Sequence, residues 1–380
     1  MRGAKLTALL VCSWILATAS AASAGRAIVT LPPGTDVQAA ANQATASGAV
    51  ITHIFHEGYS GKLPGALIKQ LRGGPGVTVE HDRKVQLAQI VCVTQSAVPS
   101  WGLDRLSERA ITLDGEYQYE FTGAAVNVYV IDTGIDTTNS DLGGRASWGA
   151  DEIDGTDQDC NGHGTAVAGT IGGTTYGVAK QVSLIAVRAL NCKGIGFASD
   201  VVAGLEWATD NYLASPKPSV IVLSLAGKLN NALNAAVDAA TAAGITTVAA
   251  AGNRHADACK YSPASATSVM TAAATDNTDV VDLKDHIAPF SNGGTCVSFF
   301  APGVGIDTDG LLGSIVSVSG TSISAAFLGG VAAQVLDEHH TWTPAQVKAH
   351  LVDKSTKGVV VGPTKAPDSP NQVLYSACDV

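Results

Sequence analysis

From residue 126 onward the chain alternates short, nearly unbroken apolar runs with longer stretches of helical character, and this pattern limits its fold more than any other feature. The apolar runs cover residues 126–131, 184–187, 220–225, 246–250 and 269–274, with helical stretches near 164–171, 199–212, 229–243 and 324–339. A last helix is expected at Thr343-Pro344-Ala345-Gln346, where a Thr cap, a Pro in the first turn and a Gln three residues after the cap form a capping box. Strands that are apolar on both faces must be covered on both faces. The pattern therefore predicts an α/β fold: a parallel sheet flanked by helices on both sides.

Residues before this region follow a different rhythm. Strands are expected at 28–31, 50–55, 77–79 and 85–93, with helices at 36–46 and 64–72. A strand-helix-strand order given twice is the split βαβ (ferredoxin-like) α+β pattern, so residues 25–93 are read as a separate small domain preceding a large one at 94–380. Residues 95–120 read as a surface linker and arm.

The first 24 residues read as a secretory signal. Arg2 and Lys5 supply the positive end, residues 6–17 the apolar stretch, and Ala22-Ser23-Ala24 a small-residue cleavage site before Gly25. The expected location is extracellular, where disulfides persist. Cys12 leaves with the signal. Cys92, Cys160, Cys192, Cys259, Cys296 and Cys378 remain; spacing alone does not fix their pairing, and none has the CxxC spacing of a zinc site. The formal net charge is -10 with no basic run, which argues against nucleic acid or an anionic membrane as partner.

Three short segments carry chemistry: Val130-Ile131-Asp132-Thr133-Gly134, Asn161-Gly162-His163-Gly164-Thr165 and Gly320-Thr321-Ser322-Ile323-Ser324. A serine hydroxyl is a poor nucleophile until a neighbouring base takes its proton. His163 is a competent base near neutral pH, and Asp132 would hold its tautomer and stabilise the charge it acquires. Ser322 enters a helix, so its N–H would face developing negative charge. Asn253, at the end of an expected strand, is the candidate second donor. Taken singly, each residue has a plainer role as a turn, cap or helix-start residue. Three Gly-flanked motifs in the order Asp, His, Ser on an alternating chain favour a catalytic triad. A lipase-type elbow is disfavoured, because the serine segment lacks its final Gly.

At these residues the chain resembles the subtilisin-like serine proteases (subtilases), in their proteinase K-like branch. Further matches are Tyr59-Ser60-Gly61-Lys62-Leu63-Pro64, Trp101-Gly102-Leu103-Asp104-Arg105-Leu106, Tyr176-Gly177-Val178-Ala179, Tyr261-Ser262-Pro263-Ala264-Ser265, Phe290-Ser291-Asn292 and Ala301-Pro302-Gly303. The resemblance implies a monomeric endopeptidase made as a zymogen and acting on proteins or peptides. Its triad would be Asp132, His163 and Ser322, with Asn253 as oxyanion donor. Substrate would lie between Gly194-Ile195-Gly196 and Ser224-Leu225-Ala226-Gly227. The small domain would be a folding helper and intramolecular inhibitor, removed near residues 90–95. Disulfides Cys160–Cys192 and Cys259–Cys296 are implied, leaving Cys92 and Cys378. No cofactor is required for the chemistry, and structural calcium is left open, because Ser298 stands where such enzymes place a calcium-binding carboxylate.

Other departures matter as well. Ala326 replaces a family Pro after the nucleophile, and Ala226 replaces a Gly beside the pocket for the residue preceding the cut. A slower enzyme with a narrowed pocket is expected; the rival reading is a catalytically silent relative that binds peptides. The acidic loop holding Asp151, Glu152, Asp154, Asp157 and Asp159 lacks EF-hand spacing and reads as solvated, with no metal assigned.

Overall fold

The computed structural model describes residues 25–83, 92–277, 284–362 and 368–378. The expected signal, and the expected strand at 85–93 as far as residue 91, lie outside them. Two compact units divide between Gln89 and Ile90.

In the first unit β1 (Gly25–Thr30), α1 (Val37–Ala46), β2 (Val50–Phe55), β3 (Gly58–Leu63), α2 (Gly65–Arg72) and β4 (Thr78–His81) follow in turn. The strands form an antiparallel sheet in the order β2-β3-β1-β4. Val29, Tyr59, Leu63 and Ala41 sit at its core. The sequence reading missed β3, whose segment Gly-Tyr-Ser-Gly-Lys-Leu has little strand propensity. Its glycines are there for room: a Cβ at Gly58 would lie 2.0 Å from Val29 O, and one at Gly61 2.1 Å from Val50 O.

The second unit opens with β5 (Val93–Ser96), α3 (Trp101–Ser107) and β6 (Glu116–Tyr119). This stretch is stitched into the unit, contrary to the surface arm expected. β5 pairs with β6, Leu103 and Leu106 are fully buried, and Cys92 is bonded to Cys378. The buried Arg105 guanidinium grips both carboxylate oxygens of Asp285, at 2.8 and 2.6 Å. Removing one member of a buried pair like this costs about 3–5 kcal/mol, because the other charge is stranded.

Next come β7 (Asn127–Asp132), β8 (Ala146–Asp151), α4 (His163–Gly172), β9 (Ser183–Arg188), α5 (Ala198–Ala214) and β10 (Ser219–Leu223). Then follow β11 (Gly227–Lys228), α6 (Asn231–Ala242), β12 (Thr246–Ala250), β13 (Tyr261–Ser262), β14 (Met270–Asp276), β15 (Asp285–Ile287) and β16 (Phe299–Pro302). The hairpin β17 (Ile306–Asp309) and β18 (Ile315–Val318) leads into α7 (Thr321–Glu338) and α8 (Pro344–Lys354). Short strands β19 (Thr356–Lys357), β20 (Val360–Val361) and β21 (Gln372–Val373) close the order.

Seven strands run parallel as β8-β9-β7-β10-β12-β14-β16, inside an eleven-stranded mixed sheet. One face packs on α4 and α7, through a core that includes Val130, Val222, Val167 and Phe327. The other packs on α5 and α6 around Ile131, Leu223, Leu205 and Val237. The expected α/β sheet covered on both faces is therefore present, and the capping box at Thr343 and Gln346 is formed. After β7 the chain builds outward to one side through β9 and β8, and then to the other through β10, β12 and β14. The strand order reverses at β7, and ligands in open α/β sheets bind in the crevice outside the strand ends at such a point.

Candidate active site

Asp132 is the last residue of β7 and is fully buried. Its Oδ1 lies 2.7 Å from His163 Nδ1 and accepts the Thr133 N–H at 2.7 Å. His163 opens α4, its side chain 37% exposed. The charge of Asp132 raises the His163 pKa above the ordinary imidazole value; burial opposes this and the charge of Asp159 adds to it.

The loop before His163 is organised by Asp159. Its Oδ1 accepts the N–H groups of Asn161 (3.0 Å) and Gly162 (2.8 Å) and the Thr133 hydroxyl (3.0 Å). Its Oδ2 accepts the N–H and hydroxyl of Thr165, at 3.0 and 2.6 Å. Asp151 and Asp154 of the same acidic segment bind the fully buried Arg188 guanidinium at 2.7 and 2.5 Å. For these three residues the solvated-loop reading is corrected: two carboxylates neutralise a buried cation and one shapes the histidine turn.

Ser322 is the second residue of α7. Its hydroxyl donates to the Ser224 carbonyl at 2.9 Å, and the Ser224 hydroxyl donates back to the Ser322 carbonyl at 2.8 Å. The resting hydroxyl is thus committed to Ser224, and no Ser322–His163 hydrogen bond is formed. Catalytic hydrogen bonds are commonly loose in unliganded enzymes and tighten with substrate. His163 and Ser224 line one part of the cleft, and Ser224 and Ser322 line the adjoining part.

Asn253 follows β12. Its Oδ1 accepts the Thr321 N–H at 3.0 Å and the Thr321 hydroxyl at 2.8 Å, which leaves the Nδ2 hydrogens to donate elsewhere. Thr321 Oγ1 also accepts the Gly252 N–H at 3.0 Å, tying the end of β12 to the start of α7. The first N–H groups of a helix have no partner within it. A Cβ at Gly320 would lie 3.1 Å from Asn253 Nδ2 and 3.8 Å from Ser322 N, so both donors border one small space that Gly320 keeps clear. Two convergent donors of this kind can hold an oxyanion.

The other expected residues line the same cleft: Gly194, Ile195 and Gly196 on one wall, Ser224, Leu225, Ala226 and Gly227 on the other. Cys160–Cys192 joins the histidine loop to the first wall, and Asn161 Nδ2 donates to Cys192 O at 3.1 Å. Cys259–Cys296 and Cys92–Cys378 are the remaining bridges.

Ser298 does not suit a cation. It is nearly buried, its hydroxyl accepts the Thr271 N–H at 3.2 Å and its carbonyl accepts from Gln372 at 2.7 Å. Calcium favours carboxylate and carbonyl oxygens, and here the side chain is neutral and the carbonyl engaged. Among the described residues, three carboxylates that could share a cation meet at Asp104, Glu108 and Asp114. Asp104 there already accepts two backbone N–H groups.

Asp159, Thr321 and Arg188 are the residues the sequence reading gave no role. Thr321 lay inside a quoted motif, but nothing in the spacing marked Asp159 or Arg188.

Comparison with known proteins gives four findings. Residues 123–370 match the Subtilase family. The chain is 44% identical over 324 residues to an extracellular serine proteinase of Thermus sp. (strain Rt41A), covering 84% of this chain and 75% of that protein. It is 41% identical over 326 residues to alkaline serine exoprotease A of Vibrio alginolyticus, covering 85% of this chain and 59% of that one. Among solved structures, a cold adapted subtilisin-like serine proteinase superposes with a TM-score of 0.69 at 40% identity, covering 75% of this chain and all of that one.

Proposed function

The chain belongs to the subtilase family of serine endopeptidases, and from that premise we propose that it is a secreted, self-processing zymogen that hydrolyses peptide bonds through an acyl-enzyme on Ser322. The observation that carries this reading is the 2.7 Å Asp132–His163 contact beside two donors that share one space, Asn253 Nδ2 and Ser322 N.

In the proposed reaction a peptide lies between residues 194–196 and 224–227 as an added strand. The Ser322 hydroxyl turns from Ser224 O to His163 Nε2 and gives up its proton as Oγ bonds to the scissile carbonyl carbon. The carbonyl electron pair moves onto oxygen, held by Asn253 and Ser322 N–H. Collapse breaks the C–N bond, and His163 passes its proton to the leaving amine. Water then attacks the ester carbon as His163 takes its proton; the bond from that carbon to Oγ breaks, the acid product leaves, and His163 returns the proton to Ser322 Oγ. Asp132 keeps the Nδ1–H tautomer throughout and offsets the imidazolium charge. No cofactor takes part.

The first unit is the proposed inhibitory leader. The cut that frees the second unit falls on the amino-terminal side of Cys92, because a cut beyond it leaves the leader attached through Cys378. Export through residues 1–24 fits the extracellular naming of the Thermus relative.

A fluorophosphonate that labels active serines tests the reading. Labelling of the wild type, lost in Ser322→Ala together with leader removal by mass, is the expected result. An unlabelled wild type favours the silent, peptide-binding alternative.

A further inference from the structure

The cleft wall carries an unusual charge. The chain as a whole is acidic, at -10. Yet the charged side chains other than His163 that line the cleft are Lys193, Lys228 and Arg254, with no Asp or Glu among the lining residues. Lys228 and Arg254 border the part that also holds Ser322, Asn253 and Gly252, where the side chain of the residue just before the scissile bond must lie. Among the described residues neither side chain has a hydrogen-bond or ion-pair partner, and both residues are exposed. Their backbones are fixed: Lys228 sits opposite Tyr261 in the β11–β13 pair, and Arg254 N donates to Asn292 Oδ1 at 3.0 Å. The Ala226 methyl stands in the wall of this part of the cleft, 3.5 Å from where a Cβ at Gly252 would lie.

A part of the cleft rimmed by two uncompensated cations and no carboxylate suits a side chain ending in a negative charge. A glutamate stem is long enough to carry its carboxylate past the Ala226 methyl toward the rim, where the shorter aspartate reaches less far. We infer that this enzyme prefers an acidic residue, glutamate above all, immediately before the bond it cuts. This rests on the hydrolase reading above and narrows it to a substrate class. Because the rim is open to solvent, the attraction is modest and screened by salt.

The test uses the secreted, processed product of the full chain and four tetrapeptide p-nitroanilides that differ only in the last residue: Glu, Gln, Leu or Phe. Glutamine is the neutral match for glutamate, so the Glu/Gln ratio of kcat/KM reads charge alone. The ratio is expected to be about fivefold or more at low salt, to shrink toward unity at about 1 M salt, and to collapse in Lys228→Gln with Arg254→Gln. A wild-type ratio of one or less at low salt overturns the inference. So does a ratio that survives the double substitution or ignores salt; the salt series needs no variant to fold. Fluorophosphonate labelling of the same sample separates the two failures. Labelled protein without a charge preference sinks only this inference, and unlabelled protein sinks the hydrolase reading with it.

Discussion

At the scale of single residues, the pH behaviour follows from His163. The proposed catalysis needs the neutral imidazole as base, and Asp132 favours the charged form. The rate therefore rises with pH through a value above the ordinary imidazole pKa of about 6.5, and is lost below it. A kcat/KM–pH profile checks this; an acid limb at or below the ordinary value contradicts it. Asp132→Asn is expected to lower kcat by about 10⁴, since the amide can donate to Nδ1 and so no longer imposes the Nδ1–H tautomer, and it carries no charge to offset the imidazolium. Asp132, His163 and Ser322 stand out in the sequence because each lies in a Gly-flanked segment of distinctive composition. Asp159 was not, although it accepts five hydrogen bonds around the histidine turn. In the sequence it is one acid among several in a polar loop. Its role comes from N–H and O–H groups of Thr133, Asn161, Gly162 and Thr165 that only folding brings around it.

At the scale of elements, α7 decides where Ser322, the proposed nucleophile, stands. It is buried along nearly its whole length, and Ala326 in its second turn is fully buried. In an α-helix the N–H of residue 326 faces the carbonyl of Ser322. That carbonyl also accepts the Ser224 hydroxyl, so two donors pull on the backbone of the nucleophile. Ala326→Pro removes one of them and stiffens the turn. Turnover is expected to rise by a few-fold up to about tenfold, the scale on which sub-ångström placement acts. Stability is expected to fall by about 3 kcal/mol or more, the cost of a proline that removes a helical hydrogen bond. Steady-state kinetics with a urea titration measure both, and an unchanged or lower kcat removes the argument. The long apolar strands and helices were legible from their periodicity. β3 was not, because its Gly58 and Gly61 answer to the backbones of Val29 and Val50, and nothing local reports such a neighbour. Nor was the structural role of 93–119 legible, since Arg105 meets its partner Asp285 only in the fold.

At the scale of the whole molecule, the sheet's reversal at β7 gathers residues from distant parts of the chain. Asp132 ends one strand of that sheet, Asn253 follows another, and Ser322 arrives on a helix packed against it. The Cys92–Cys378 bond adds a constraint that no spacing could foretell. With its ends 286 positions apart, it makes the second unit a closed covalent loop. By loop-entropy arithmetic such a closure restricts the unfolded chain by up to about 5–6 kcal/mol. For an enzyme that shares its surroundings with copies of itself, a loop wears differently from a line. One accidental nick inside the circle opens it without parting the pieces, and the two lengths travel on as one particle. Material aged in its own solution should run as a single band on a non-reducing gel and split only when reductant is added. Separate fragments before reduction would show that the circle is not closed.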